Sequence, residues 1–130
     1  MKDARFAFGE NIVPLKAPVD SAGTAYATPF VDLKNALHAT FFWYAGVVTA
    51  TSADQNIVIT MEAATAAASG SEVAIAFKYR LSGATGANTW GDITSATSAG
   101  YSFATDADGK MLLIDIDPAG LDSALADARF

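Results

Sequence analysis

The sequence predicts an all-β fold, an antiparallel β-sandwich for which a jelly roll is one possible form, preceded by an extended N-terminal arm. Along residues 73–81 apolar side chains alternate with small or charged ones, and successive side chains of a strand point to opposite faces. Similar short segments recur at intervals of roughly 8–12 residues with turn residues between them, which is typical of a sandwich or barrel. We assign residues 1–30 to the arm and residues 31–130 to the sandwich domain.

The arm is predicted from its irregular, proline-rich pattern. Pro14, Pro18 and Pro29 lack the backbone N–H that a central strand donates. The arm also carries apolar side chains that would remain in water if it hung free, and docking against another subunit would bury them. The predicted interface residues are Phe6, Phe8, Ile12, Val13 and Leu15. Packing of the arm along its own domain is the alternative.

The first strands of the domain follow from composition and alternation. Residues 31–37 are predicted to form a single helical turn, and residues 39–48 a strand. Four consecutive aromatic residues place bulk on both faces of that strand. Residues 57–64 and 73–81 both alternate and are joined by a small-residue loop, so they are predicted to pair as a hairpin.

The last strands are predicted in the same way. Residues 101–105 and 110–117 flank an Asp-Gly turn at 106–109, which is a strong local signal for a second hairpin. Residues 121–128 are predicted as a short helical turn. Arg129 and Phe130 would begin a closing strand, from which we expect the chain to be part of something longer.

Composition excludes several classes of function. The chain of 130 residues has 14 Asp and Glu against 8 Lys and Arg, for a net charge of -6. Binding to nucleic acid or to an anionic membrane surface needs clustered cations, so neither partner is predicted. Charged residues make up only 17% of the chain, so we expect neighbouring subunits to cover part of the surface. A composition set by the source genome is the alternative.

The residues that carry chemistry do not form a recognisable catalytic or metal site. The chain has no cysteine and a single histidine, His38, so no thiolate site, Ser-His-Asp triad or histidine cluster can be assembled. Asp106, Asp108 and Gly109 resemble part of a calcium loop, but no bidentate carboxylate follows, which favours a turn. Asp115 and Asp117 share a strand face, where solvation explains them better than acid–base work. We therefore predict no enzyme, no cofactor and no metal.

Aromatic residues provide one candidate binding site. Trp90 and Tyr101, with Trp43 and Tyr44, could form a platform on which a sugar stacks. Packing in the core and in an interface is the competing interpretation.

One run of motifs carries a resemblance. It comprises Trp90-Gly91-Asp92-Ile93, then Tyr101-Ser102-Phe103, then residues 108–118 from an Asp-Gly-Lys turn to an Asp-Pro turn, with Val31-Asp32-Leu33 and an aromatic strand upstream. These features resemble a class of small structural proteins of tailed bacteriophages. In that class an Arg-aromatic strand follows the Asp-Pro turn, and Arg129 and Phe130 would be its start.

The resemblance implies a virion structural protein, made in the host cytoplasm and located on the capsid surface. Its implied role is that of a capsid decoration (cement) protein, a homo-oligomer that bridges and stabilises major capsid protein subunits. A head–tail or tail component is the alternative within this class. A carbohydrate-binding β-sandwich module is the alternative outside it.

Overall fold

A computed structural model describes residues 13–18, 25–47, 57–68, 70–103, 108–123 and 125–130. Within these ranges the fold is all-β and antiparallel, as predicted, with a single 3₁₀ helix at Pro118–Ser123. By their internal contacts the residues fall into two units, Met1–Phe30 and Val31–Phe130. The strands are β1 (Ala39–Tyr44), β2 (Ile57–Ile59), β3 (Met61–Ala63), β4 (Val73–Ile75), β5 (Phe77–Leu81), β6 (Thr94–Ala96), β7 (Tyr101–Phe103) and β8 (Met111–Ile116).

Strand β8 is one of the two central strands of a four-stranded sheet in the order β1-β8-β5-β6. Leu112 and Ile114 are at most 2% exposed, because strands cover both edges of β8 and the core covers its inward face. Leu113 and Asp115 point to the opposite face, as the alternation predicted.

A second layer packs on the inward face of this sheet. Strands β2 and β7 form one pair, and strands β3 and β4 form another. Ring contacts join β7 to the large sheet, with centroids 4.6 Å apart for Trp43 and Phe103 and 4.4 Å apart for Tyr79 and Tyr101. The domain is therefore a sandwich-like arrangement with its core between the two layers.

The first predicted hairpin is confirmed only in part. Strand β3 pairs with β4, but β2 pairs with β7, and β5 pairs with β6 and β8. Each of the two predicted strands therefore changes partner midway, at Thr60 and at Ala76. Alternation of apolar and polar residues predicts which face of a strand each side chain occupies, but it does not predict which strand pairs alongside. The change of partner at Thr60 and Ala76 could therefore not be predicted from the sequence pattern.

The second predicted hairpin is wrong. Strand β7 pairs with β2, whereas β8 pairs with β1 and β5, so the chain between Phe103 and Asp108 joins two different sheets. Gly109 does adopt the left-handed backbone expected of an Asp-Gly turn, with φ of 65°. Asp106 lies outside the described residues.

The C-terminal residues bond to two other parts of the domain. Ala64 N donates to Phe130 O at 2.8 Å, Arg129 N donates to Ala64 O at 3.1 Å, and Leu33 N donates to Arg129 O at 2.7 Å. The Arg129 guanidinium also pairs with the Asp32 carboxylate. The helical turn predicted for residues 121–128 begins earlier, at Pro118, and residues 31–37 contain a hydrogen-bonded turn closed by Ala36 N and Leu33 O rather than a helix.

Candidate functional site

The N-terminal unit exposes apolar surface. Of the predicted interface residues, Val13 is 56% exposed and Leu15 is half-buried, whereas Phe6, Phe8 and Ile12 lie outside the described residues. The Lys16 ammonium lies 5.4 Å from the centre of the Tyr26 ring, a cation–π contact between the two described parts of this unit. That contact still leaves half of Tyr26 exposed.

Part of the outward face of the four-stranded sheet is apolar, where the second half of β1 pairs with the first half of β8. Phe42 and Tyr44 are 56% and 61% exposed, and they lie opposite Leu113 and Met111. We call these four residues the outer patch. The run of consecutive aromatic residues in β1 predicted bulky side chains on both faces of the strand. Phe42 and Tyr44 are the members of this run that lie on the outward face.

One end of the outward face is a cleft of about 320 Å³. Its floor is a row of neighbours across the sheet. Tyr44 lies opposite Met111. Ser82 N donates to Met111 O and Met111 N donates to the Ser82 side-chain Oγ, both at 2.8 Å. Ser82 in turn forms an antiparallel bridge with Trp90. Cross-strand neighbours share a face, so the two aromatic residues stand at opposite ends of one row.

The loop that follows β5 forms one wall of the cleft. Hydrogen bonds from Gly83 N to Thr89 O and from Ala87 N to Ala84 O, both 2.9 Å, close this loop on itself. Gly109 lies against it so closely that an added Cβ would fall 2.0 Å from the Thr85 hydroxyl oxygen. Sequence reasoning missed this wall, because a Gly- and Ser-rich stretch carries no periodic signal of its own.

The four aromatic residues considered as a sugar platform divide between the two interpretations. Tyr101 and Trp43 face the core, where Tyr101 packs against the ring of Tyr79 and Trp43 against that of Phe103, as core packing predicted. Trp90 and Tyr44 instead line the cleft. Alternation along β1 explains why Trp43 and Tyr44, adjacent in sequence, belong to different environments.

His38 and Asp115 form an exposed pair of titratable residues. His38 Nε2 lies 2.6 Å from Asp115 Oδ1, and both side chains are at least half exposed. Lys78 is the cross-strand neighbour of Asp115 on the outward face. Among the described residues no three His, Cys, Asp or Glu side chains gather closely enough to hold a metal ion.

One carboxylate has a perturbed pKa. The hydrogen bonds from the Arg129 guanidinium, and then the one from Lys34 N at 3.0 Å, hold the pKa of Asp32 below its ordinary value of 3.8. This pair joins the C-terminal residues to the segment before β1. It is therefore a structural link.

Comparisons with known proteins give no family. No family model, curated protein or solved structure matches the chain. No helix in the described ranges is long and apolar enough to cross a membrane. The features that bear on function are thus the N-terminal unit, the outer patch and the cleft.

Proposed function

We propose that this chain is a virion structural protein, a capsid decoration (cement) protein that bridges and stabilises major capsid protein subunits of a tailed bacteriophage. The observation that supports it most is the N-terminal unit Met1–Phe30, which is rich in apolar residues and keeps Val13 and Tyr26 about half exposed. Apolar side chains in such a segment gain burial when a neighbouring subunit covers them.

The action of such a protein is mechanical. Each copy docks its arm on an adjacent subunit, buries apolar surface and opposes separation of the subunits that it bridges. An interface of about 1,600 Å² would suffice for specific attachment. The low charge of the chain, 17% of residues, agrees with a surface that is partly covered in the assembly. The proposal needs no catalytic residue and no cofactor.

Deletion of residues 1–28 tests this proposal. We expect the truncated protein to keep the melting temperature of the full chain and to lose co-sedimentation with icosahedral particles from the same source, together with self-association. Aggregation or early melting of the truncated protein would show that the arm belongs to the core of its own domain, and the proposal would fail.

A point variant provides the matched control. Val13→Asp places a charge on the arm, and Val47→Asp places the same charge on a domain residue that is 85% exposed. Particle binding should fall for Val13→Asp and persist for Val47→Asp. Equal particle binding by both variants would contradict the proposed role of the arm in attachment. The number of copies per particle then separates the two candidates: a number comparable to that of the major capsid protein indicates a decoration protein, and a small fixed number indicates a tail or head–tail component.

A further inference from the structure

We infer that the cleft between Tyr44 and Trp90 is a binding site for a neutral oligosaccharide. This inference does not depend on the proposed attachment through the arm. It concerns the outward face of the four-stranded sheet and uses no residue of the N-terminal unit.

The shape of the cleft suits a short linear ligand. Tyr44 and Trp90 are separated by three neighbour-to-neighbour steps across the row, roughly 14 Å at about 4.8 Å for each step. Between them lie Met111, an apolar and adaptable side chain, and the small side chain of Ser82. A ligand that spans the row would therefore contact an aromatic ring at each end and Met111 and Ser82 between them.

The side chains that line the cleft offer the aromatic faces and hydrogen-bonding groups that a sugar ring can contact. Neither Tyr44 nor Trp90 stacks on another ring within the described part of the chain, so each can offer a ring face to the C–H groups of a pyranose. Among the same residues, the indole N–H of Trp90 and the side-chain amide of Asn88 make no hydrogen bond, and both can meet hydroxyl groups. A few polar groups beside aromatic surface are the usual composition of a small-ligand site.

The charge of the cleft selects a neutral ligand. None of the residues that line it is charged. Arg80, one of the cations on the outward face, already donates from Nε to Gly91 O at 3.0 Å. A phosphorylated or nucleic-acid ligand would find no counter-charge in the lining, and the net charge of -6 would repel it.

The test uses the full chain and a panel of neutral hexasaccharides of glucose, mannose, galactose and N-acetylglucosamine. Binding is followed by calorimetry and by quenching of tryptophan fluorescence. We expect saturable binding of at least one hexasaccharide in the micromolar to millimolar range. Tyr44→Ala and Trp90→Ala should each weaken it by about tenfold, because each removes one ring contact.

Two controls make the result decisive. Tyr26→Ala removes a similarly exposed aromatic residue of the N-terminal unit and should leave the affinity within about twofold, a difference too small for a lost ring contact. Circular dichroism of each variant checks that the fold is retained. The inference is overturned if no hexasaccharide saturates the protein, if both cleft variants bind like the wild type, or if a proline-rich peptide binds in the cleft instead. Particle binding plays no part in these measurements, so their failure would leave the proposed function untouched.

Discussion

Phe77 shows how position along a strand determines the contribution of an apolar residue. The alternation along residues 73–81 predicts five inward side chains and does not distinguish how deeply each of them is buried. Phe77 is 4% exposed and its ring lies 6.3 Å from that of Tyr79, whereas Val73, at the start of β4, is 41% exposed. The face is therefore confirmed, but the core begins only at Ile75.

Replacement of Phe77 by alanine should lower the free energy of unfolding by about 3–5 kcal/mol, because it removes buried surface and leaves a cavity. Thermal and urea unfolding measure the loss. Val73→Ala is the matched control on the same face and should cost well under half as much, since much of Val73 already contacts water. A Phe77→Ala variant that melts within a degree of the wild type would contradict the assigned core.

At the scale of elements, hydrogen bonds of the C-terminal residues link two segments of the domain that are distant in sequence. Arg129 bonds through its backbone to Leu33 and Ala64 and through its side chain to Asp32. Sequence reasoning predicted that a strand begins at Arg129. It did not predict the partners, which come from segments far apart in the chain.

The Asp32–Arg129 link predicts a pH dependence of stability. The pKa of Asp32 is lowered in the folded protein, first by the Arg129 guanidinium and then by Lys34 N–H, so the folded state binds this proton less readily than the unfolded state. The contribution of the ionised Asp32 to the free energy of unfolding is therefore complete above the ordinary pKa of 3.8. It is lost as the pH falls through the lowered pKa of the folded state.

Unfolding by urea between neutral pH and pH values below 3.8 measures this contribution. The stability difference between the wild type and Asp32→Asn should stay constant down to the ordinary pKa and then shrink. In an Arg129→Gln background the same difference should be smaller throughout, because the main cause of the shift is gone. A difference between wild type and Asp32→Asn that is independent of pH would refute the link.

At the scale of the whole molecule, aromatic contacts hold the two layers together. Tyr79 belongs to the four-stranded sheet and Tyr101 to the β2–β7 pair, and their rings lie 4.4 Å apart. A double-mutant cycle on these two residues, each replaced by leucine, should give a coupling energy of about 0.5–1.5 kcal/mol.

The control for this cycle is Tyr79 with Trp90, since Trp90 lines the cleft on the outward face and Tyr79 packs against the core. Residues without shared contacts should be additive within about 0.5 kcal/mol. A Tyr79–Tyr101 cycle that is equally additive would mean that the two layers do not meet through these rings.

The sequence by itself determined the fold class and the faces of the strands. Both follow from a period of two, which is a local property. Leu112 and Ile114 are buried and Asp115 is exposed because adjacent side chains of any strand point in opposite directions. The same rule placed Trp43 and Tyr44 on opposite faces, although only the structure shows which of them lies inside.

Only the tertiary structure decided which strands pair and which residues meet in the cleft. The cleft brings together Tyr44 of β1, several residues between Ser82 and Trp90, and Gly109 and Met111. These segments are distant in sequence and become neighbours only because β8 lies between β1 and β5. The Asp-Gly turn was predicted as a hairpin on local grounds, yet the strands on either side of it belong to different sheets. Strand pairing depends on the burial that each partner offers across the whole domain, and that quantity is not encoded in any short segment.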